Sequence, residues 1–274
     1  VQSAALKAIV DRERERMKFK SAQYWDVTAT LNKHEVFDAR LIEYNGKTIA
    51  QSKDFDADSG LLKNDKAHLL TEAEANTLKD TAPKAKWTIT DVQTKDVKRK
   101  APAPFTTSTL QQEANRKLKL SSRDAMRAAQ KLYENGFITY MRTDSTNLST
   151  DAQTAIKGLV ASRYGAEYVN EHVRQEKAQA GAQEAHEAIR PSLSFTVPGE
   201  TGLKGAEHDV YELIWMRTIA SQMRDAEQQQ MAVKLEADKN IYQANGTRIV
   251  FPGFLRAYVE GADDIEQALV EREH

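Results

Sequence analysis

The sequence predicts an α+β, multidomain chain in which a mainly α-helical region is inserted between two separated segments of a β-rich domain. Three observations carry this reading. Residues 24–94 are written in short alternating pieces, clearest at 24–31, 39–44 and 86–93, the period-2 pattern of half-buried strands. Residues 105–225 instead repeat apolar side chains every three to four positions, the spacing of helices with one buried face. After Gln230 the alternating style returns at 232–237, 240–244 and 247–251.

Taken in order, the chain opens with Leu6, Ile9 and Val10 at helical spacing ahead of a charge-dense stretch at 11–16. Asn45-Gly46 follows a strand-like run and signals a hairpin, because both residues accept the positive φ of a tight turn. A helix is expected over 71–81, where Thr71 can cap and Pro83 stops it. Residues 95–104 are basic and contain proline, so they are read as a connector excluded from a sheet interior, with a domain boundary at that point. Leu110, Ala114 and Leu118 then mark one helix. Ser121 or Ser122 opens the next, with Ala125, Met126, Ala129, Leu132 and Tyr133 as its apolar stripe and Asn135-Gly136 as its end. A third helix runs from Thr150 or Asp151 to Tyr164, closing at Gly165. A fourth spans about 208–224, with Val210, Leu213, Ile214 and Trp215 on its buried side. Asn245-Gly246 divides the last two strand-like runs. The expected division is therefore 1–20 as a helical piece of a further domain, 21–100 as the first β-rich segment, 101–226 as the helical insert, and 227–274 as the second β-rich segment with a C-terminal helical piece.

At 274 residues the chain is long enough for two domains. It has no cysteine, which excludes a disulfide scaffold, a thiolate metal site and a cysteine nucleophile. Lys and Arg number 39 against 40 Asp and Glu, so a uniformly basic coat is excluded, although binding answers to local charge. Between Asp91 and Gln130 basic residues outnumber acidic ones nine to four, which suits either an anionic ligand or a solvated helical face. No apolar run reaches the roughly 18 to 20 residues that cross a bilayer, and a cytosolic setting is expected. The start at Val1 without an initiator methionine suggests a cut-out from a longer protein.

Two groups of residues carry chemistry. In Gly136-Phe-Ile-Thr-Tyr140-Met-Arg142-Thr-Asp144-Ser145 a nucleophile, a guanidinium, a carboxylate and hydroxyls crowd together after an apolar triplet. An extended backbone there would place Tyr140 and Arg142 on one side, about 7 Å apart, with a phosphate on the guanidinium in reach of the phenol. A phenol of pKa about 10 needs a base or stabilising cations to attack at neutral pH, and arginine offers a planar fork for two phosphate oxygens. The plainer reading of Tyr140 is an aromatic side chain closing a helix–strand corner. The second group is Gln183-Glu-Ala-His186-Glu187-Ala-Ile-Arg190-Pro-Ser192. On a helical turn His186 and Arg190 would share a face, as a proton carrier or donor beside a phosphate-binding cation, or merely as a surface network with Glu187.

These residues resemble those of the type IA DNA topoisomerases, in particular the bacterial topoisomerase I branch. The resemblance runs in order through Val1-Gln2-Ser3, Pro104-Phe-Thr-Thr-Ser-Thr-Leu-Gln-Gln112, Gly136-Phe-Ile-Thr-Tyr-Met-Arg-Thr-Asp-Ser-Thr-Asn-Leu-Ser149 and Glu184-Ala-His-Glu-Ala-Ile-Arg-Pro-Ser192. Pro252-Gly-Phe-Leu-Arg-Ala-Tyr258 is a weaker echo. Met141 favours topoisomerase I, since topoisomerase III resembles this region with proline at that position.

The resemblance implies a β-rich arch carrying a helical domain with a nucleophilic Tyr140. That tyrosine would cleave one DNA strand through a 5′-phosphotyrosine link, allow strand passage and reseal the break without ATP, relaxing negative supercoils. It implies that Arg142 positions the scissile phosphate, that His186 supports the cleavage site by hydrogen bonding, and that Val1 and Gln2 contact DNA, with Arg190 as a further DNA-binding candidate. The implied substrate is single-stranded DNA within a negatively supercoiled duplex, the enzyme a monomer in the cytoplasm at the nucleoid. Family members hold Mg²⁺ in a toprim domain marked by Glu-Ala-Pro-Ser-Lys and Asp-x-Asp-x-Glu runs, and neither occurs here. Asp54-Phe-Asp56-Ala-Asp58 has related spacing but continues with Ser59-Gly60 and is rejected as a Mg²⁺ site. The chain is therefore expected to bear the cleavage tyrosine without the metal half, and to be inactive alone. A type IB topoisomerase or tyrosine recombinase is a weaker alternative, because those place His-x-x-Arg ahead of the nucleophile. A non-catalytic DNA-binding or interaction module is the other.

Overall fold

The computed structural model describes residues 2–171 and 187–259. They form two compact units, one of residues 1–95 with 229–248 and one of 96–228 with 249–274. The first unit opens with helix α1 (Gln2–Lys18), whose Leu6 and Ile9 stand 62% and 66% exposed, so the helical spacing of its apolar residues is not matched by burial within this chain. The backbone N–H of Lys20 donates to the Ala57 carbonyl and ties the end of this segment down.

One seven-stranded sheet organises the first unit. Its strands are β1 (Thr28–Asn32), β2 (Val36–Tyr44), β3 (Lys47–Ile49), β4 (Ala67–His68), β5 (Thr88–Arg99), β6 (Ala226–Ala237) and β7 (Asn240–Phe251). They lie in the order β4-β3-β2-β7-β6-β5, with β1 on β2. Antiparallel pairing sets Leu41 of β2 opposite Tyr242 of β7. This pairing joins segments some two hundred residues apart in the chain, so everything between β5 and β6 leaves the sheet and returns. Asn45 and Gly46, at φ 48° and 79°, make the expected β2–β3 turn. Helix α2 (Glu72–Thr81) is capped by Thr71, which accepts from the Glu74 N–H while the Glu74 carboxylate accepts from the Thr71 N–H. Its Leu78 joins Ala39, Leu41, Ile49, Leu70 and Tyr242 in the core of this unit.

Two readings of the strands change. The basic stretch 95–99 is not a connector; β5 runs through it to Arg99. The strand lies at the end of the sheet, where lysines can stay in solvent along an edge. The two runs on either side of Asn245-Gly246 are also one strand and not two, since β7 runs straight through the dipeptide. The β6–β7 reversal is made by Asp238 and Lys239, at φ 49° and 65°, because an aspartate can take up the left-handed conformation that such turns need.

The second unit packs α3 (Thr107–Leu118), α4 (Ser122–Glu134), α5 (Thr150–Tyr164) and α6 (Gly205–Ser221). Thr106, Ser121 and Ser149 cap the first three through side-chain oxygens that accept N–H groups of the opening turns. Helix α6 is buried almost all round, at Val210, Tyr211, Leu213, Ile214, Trp215 and Ile219 among others, and so forms the centre of this unit. Residues 249–259, expected with the β-rich segment, group with this unit instead: Phe254, Leu255 and Tyr258 lie in its core. Gly253, at φ 50°, lets the chain pass so close that a Cβ would stand 2.5 Å from the Arg224 and Asp225 carbonyl oxygens.

A buried polar group fixes the lead-in to α3. Arg217 of α6 donates to the Ala103 carbonyl at 2.6 Å and lies over the rings of Phe105 and Tyr258. Tyr258 in turn donates to the Glu113 carboxylate at 2.8 Å, and burial pushes its phenol well above the ordinary value, keeping the donor protonated. A second tie is residues 187–192, where the sequence suggests a helical turn. Its described residues are instead bridged like a strand, Ile189 to Phe105 and Pro191 to Ile138. Arg190 is buried at 7% exposure, and its guanidinium donates to both oxygens of Glu187 and to the Pro191 carbonyl. Glu187 also accepts the N–H of Ser149, at the mouth of α5, at 2.7 Å.

Burial raises the Glu187 pKa, but the bonds from Arg190 and Ser149 outweigh it and hold the carboxyl below its usual 4.5. A carboxyl lowered by folding adds stability above its unfolded pKa and loses it as pH falls through the folded value. Urea unfolding followed by fluorescence should therefore show this contribution disappearing below about pH 4.5. Glu187→Gln should cost about 1–3 kcal/mol at neutral pH, and the difference from wild type should shrink as the buffer is made more acidic; a constant difference would show that the ion pair does not matter.

Candidate active site

The residues around Tyr140 are built outward from the end of α4. Gly136, at φ 75°, lets the Gly136 and Phe137 N–H groups close back on the Tyr133 and Leu132 carbonyls. The chain then runs on with alternating burial. Ile138, Met141, Thr143 and Ser145 are buried at 4%, 1%, 8% and 5% exposure, whereas Tyr140 is 48% exposed and Arg142 and Asp144 also face solvent. From Tyr140 onward this is the period of an extended chain: Tyr140, Arg142 and Asp144 share the open side, Met141 and Thr143 the buried one.

Neighbours on both sides supply the hydrogen bonds that a lone extended segment cannot make for itself. Thr107, first residue of α3, shares its hydroxyl proton between the Met141 and Thr143 carbonyls at 2.8 and 3.1 Å. The same oxygen accepts the Thr143 N–H at 2.9 Å, and the Thr107 N–H donates to the Thr143 carbonyl. On the other side the Thr139 N–H donates to the Arg190 carbonyl, the Arg190 N–H to the Thr139 hydroxyl, and that hydroxyl to the Ala188 carbonyl. The residues flanking Tyr140 are thus pinned.

Tyr140 and Tyr133 are the exposed tyrosines of this unit among the described residues. Their rings meet edge to face, centroids 5.2 Å apart and planes at 66°. The buried phenol of Tyr211 is unsuited to reaction: burial raises it to about 12, and its hydroxyl donates to the Thr196 carbonyl. Among the described residues Arg142 and Asp144 make no ion pair with each other. The site therefore presents a reachable phenol, an uncommitted guanidinium and a carboxylate on one edge, which suits binding a phosphodiester and attacking its phosphorus.

The other expected site residues are distributed differently. Arg190 reaches the neighbourhood through its backbone, beside Thr139, while its guanidinium is turned inward onto Glu187 and Pro191. That arrangement matches the network reading of this motif rather than an open cation. His186 and Val1 lie outside the described residues; Gln2 starts α1 in the other unit, its side chain outside the description. Asp54 and Asp56 serve local turns, accepting the N–H of Gln51 and of Ser59, and among the described residues no three carboxylate or imidazole groups converge as metal ligands. The acidic run does not fit a Mg²⁺ site. Thr107, Thr139, Glu187 and Tyr133 were not legible as site residues. Thr107, Thr139 and Glu187 all lie inside the motifs that carry the family resemblance, Thr107 two residues after Phe105 and Thr139 next to Tyr140.

Among the described residues no helix is long and apolar enough to cross a membrane. Residues 1–273 match the family model described as DNA topoisomerase. DNA topoisomerase 1 of Synechocystis is 50% identical over the whole chain, and the proteins of the same name from Synechococcus elongatus and Streptomyces coelicolor are 48% and 46% identical. The chain spans 31% of the length of the Synechocystis protein. Full-length topoisomerase I of Thermotoga maritima superposes with a TM-score of 0.69 at 31% identity, over 95% of this chain and 42% of that one. With a match that extends over essentially all of its residues, this chain belongs to the bacterial type IA DNA topoisomerase I family.

Proposed function

We propose that this chain is the strand-cleaving part of a type IA DNA topoisomerase that relaxes negatively supercoiled DNA without ATP. The observation that carries the reading is the shared exposure of Tyr140 and Arg142 on a segment pinned from both sides. A phosphodiester held by the Arg142 fork lies within reach of the Tyr140 oxygen. That oxygen bonds to phosphorus, the bond from phosphorus to the 3′ oxygen breaks, and the phenolic proton is lost while the departing oxygen gains one. The product is a 5′-phosphotyrosine and a free 3′-hydroxyl. Because one ester replaces another, the reaction is close to thermoneutral, and the hydroxyl can attack back once another strand has passed.

The substrate in this reading is single-stranded DNA exposed by underwinding, and the protein acts as a monomer at the nucleoid. The arch-and-insert arrangement expected from the family agrees with a sheet whose strands enclose the helical insert in sequence. His186 directly precedes the anchored Glu187 and is retained as a hydrogen-bonding group at cleavage; Val1 and Gln2 are retained as DNA contacts. Arg190 is retained only as a buried brace for Thr139. Mg²⁺ is assigned to a toprim domain of the full-length protein, as the family resemblance implies. A DNA-binding module without catalysis is the second reading for the isolated chain, favoured by the basic excess between Asp91 and Gln130.

Tyr140→Phe in the full-length protein should abolish covalent attachment to a single-stranded oligonucleotide and leave affinity within about twofold; a normal adduct yield would exclude Tyr140 as nucleophile. Arg142→Lys should slow cleavage about tenfold or more, because a single ammonium cannot reproduce the fork. Wild-type cleavage rates would show that charge alone suffices. Isolated, the chain should bind single-stranded DNA with an affinity that falls steeply with salt and should not relax a supercoiled plasmid with Mg²⁺ present, whereas plasmid relaxation would remove the need for a separate metal-binding part.

A further inference from the structure

We propose that Tyr133 is a positioning residue for Tyr140, holding the phenol in its attacking rotamer through the edge-to-face ring pair. The inference rests on Tyr140 being the nucleophile and adds a residue to that site. The sequence places Tyr133 in the apolar stripe of α4, yet the structure turns it out of the core. It is 41% exposed while its neighbour Leu132 is fully buried. An aromatic side chain left in solvent contributes little to packing the unit. What it does meet is the ring of Tyr140, at 5.2 Å and 66°.

The need for such a contact follows from how the Tyr140 segment is held. Backbone bonds fix Thr139 on one side and Met141 and Thr143 on the other, but they do not restrain the Tyr140 side chain. A half-exposed tyrosine can sample about three χ1 wells, and attack on phosphorus requires the one that directs the oxygen at the bound phosphate. Tyr133 supplies, from a backbone held in the helix, the ring against which that choice is made. It belongs to the last turn of α4, which is closed by Gly136 and by the Phe137 N–H on the Leu132 carbonyl. Edge-to-face pairs of this geometry bias a conformational equilibrium by up to about tenfold. The contact needs the Tyr133 ring and not its hydroxyl.

The test uses the full-length protein with Tyr133→Ala, Tyr133→Phe and Tyr140→Phe. Single-turnover formation of the covalent adduct on a single-stranded oligonucleotide is measured at saturating protein, with affinity measured separately by anisotropy. Tyr133→Ala should slow adduct formation about five- to tenfold with affinity changed less than about twofold, and Tyr133→Phe should restore the rate. Alanine is a better helix former than tyrosine at this exposed position, so loss of fold is not expected, and recovery by phenylalanine separates positioning from a structural effect. The inference is overturned if Tyr133→Ala reacts at the wild-type rate. It is also overturned if only affinity falls, which would make Tyr133 a stacking platform for a base, or if Tyr133→Phe is as slow as alanine. An adduct formed by Tyr140→Phe would instead defeat the reading of Tyr140, whatever the Tyr133 variants do.

Discussion

The hydrogen bonds between Thr107 and the backbone at Met141 and Thr143 are the constraint on which the candidate site depends. An extended segment between two helices has peptide groups on both sides and no sheet to satisfy them. Buried without partners, each such group would cost about 1–3 kcal/mol. Thr107 answers one side with a hydroxyl and a backbone N–H at the start of α3, where N–H groups lack intrahelical acceptors in any case. Residues 188–192 answer the other side. With the buried edge satisfied, the alternate residues Tyr140, Arg142 and Asp144 are left facing solvent.

The clamp is itself held by charged groups taken out of water. Arg217 fixes the carbonyl of Ala103 and lies over Phe105, which sets the path of the chain two residues before Thr107. Tyr258, from the far end of the described chain, connects Arg217 with Glu113. Such buried charges are costly unless all their donors and acceptors are met, and here backbone carbonyls, a phenol and aromatic faces meet them. Arg190 with Glu187 works the same way on the strap side, joining its backbone pairing with Thr139 to the first turn of α5. Arg190 thereby contributes to the site through the shape it imposes on neighbouring residues.

Much of the secondary structure was legible because its causes are local. Thr71 and Ser121 cap the helices that they precede, and Asn135-Gly136 and Gly165 end theirs. These signals need only a side-chain oxygen or a permissive φ. Asn245-Gly246 shows the limit of such reasoning: the same dipeptide that turns the chain at Asn45-Gly46 is carried through β7, because pairing partners along the strand decide where a reversal falls. The end of β5 was missed for a related reason. Lysine and arginine on an edge strand look like a linker until the strand has a neighbour.

The sequence by itself determined the family and the period that places Tyr140 and Arg142 on one side, since these depend on residue identity and spacing along a short segment. Only the tertiary structure decided what those residues touch. Tyr133 could not be told from a core residue by helical periodicity, because a position at the margin of an apolar stripe is buried or exposed according to what packs beside it. Arg190 could not be told from a phosphate-binding cation for the same reason: its charge is a property of the side chain, but its partner, Glu187, is fixed by a backbone path that depends on Phe105 and Thr139, far away in the sequence.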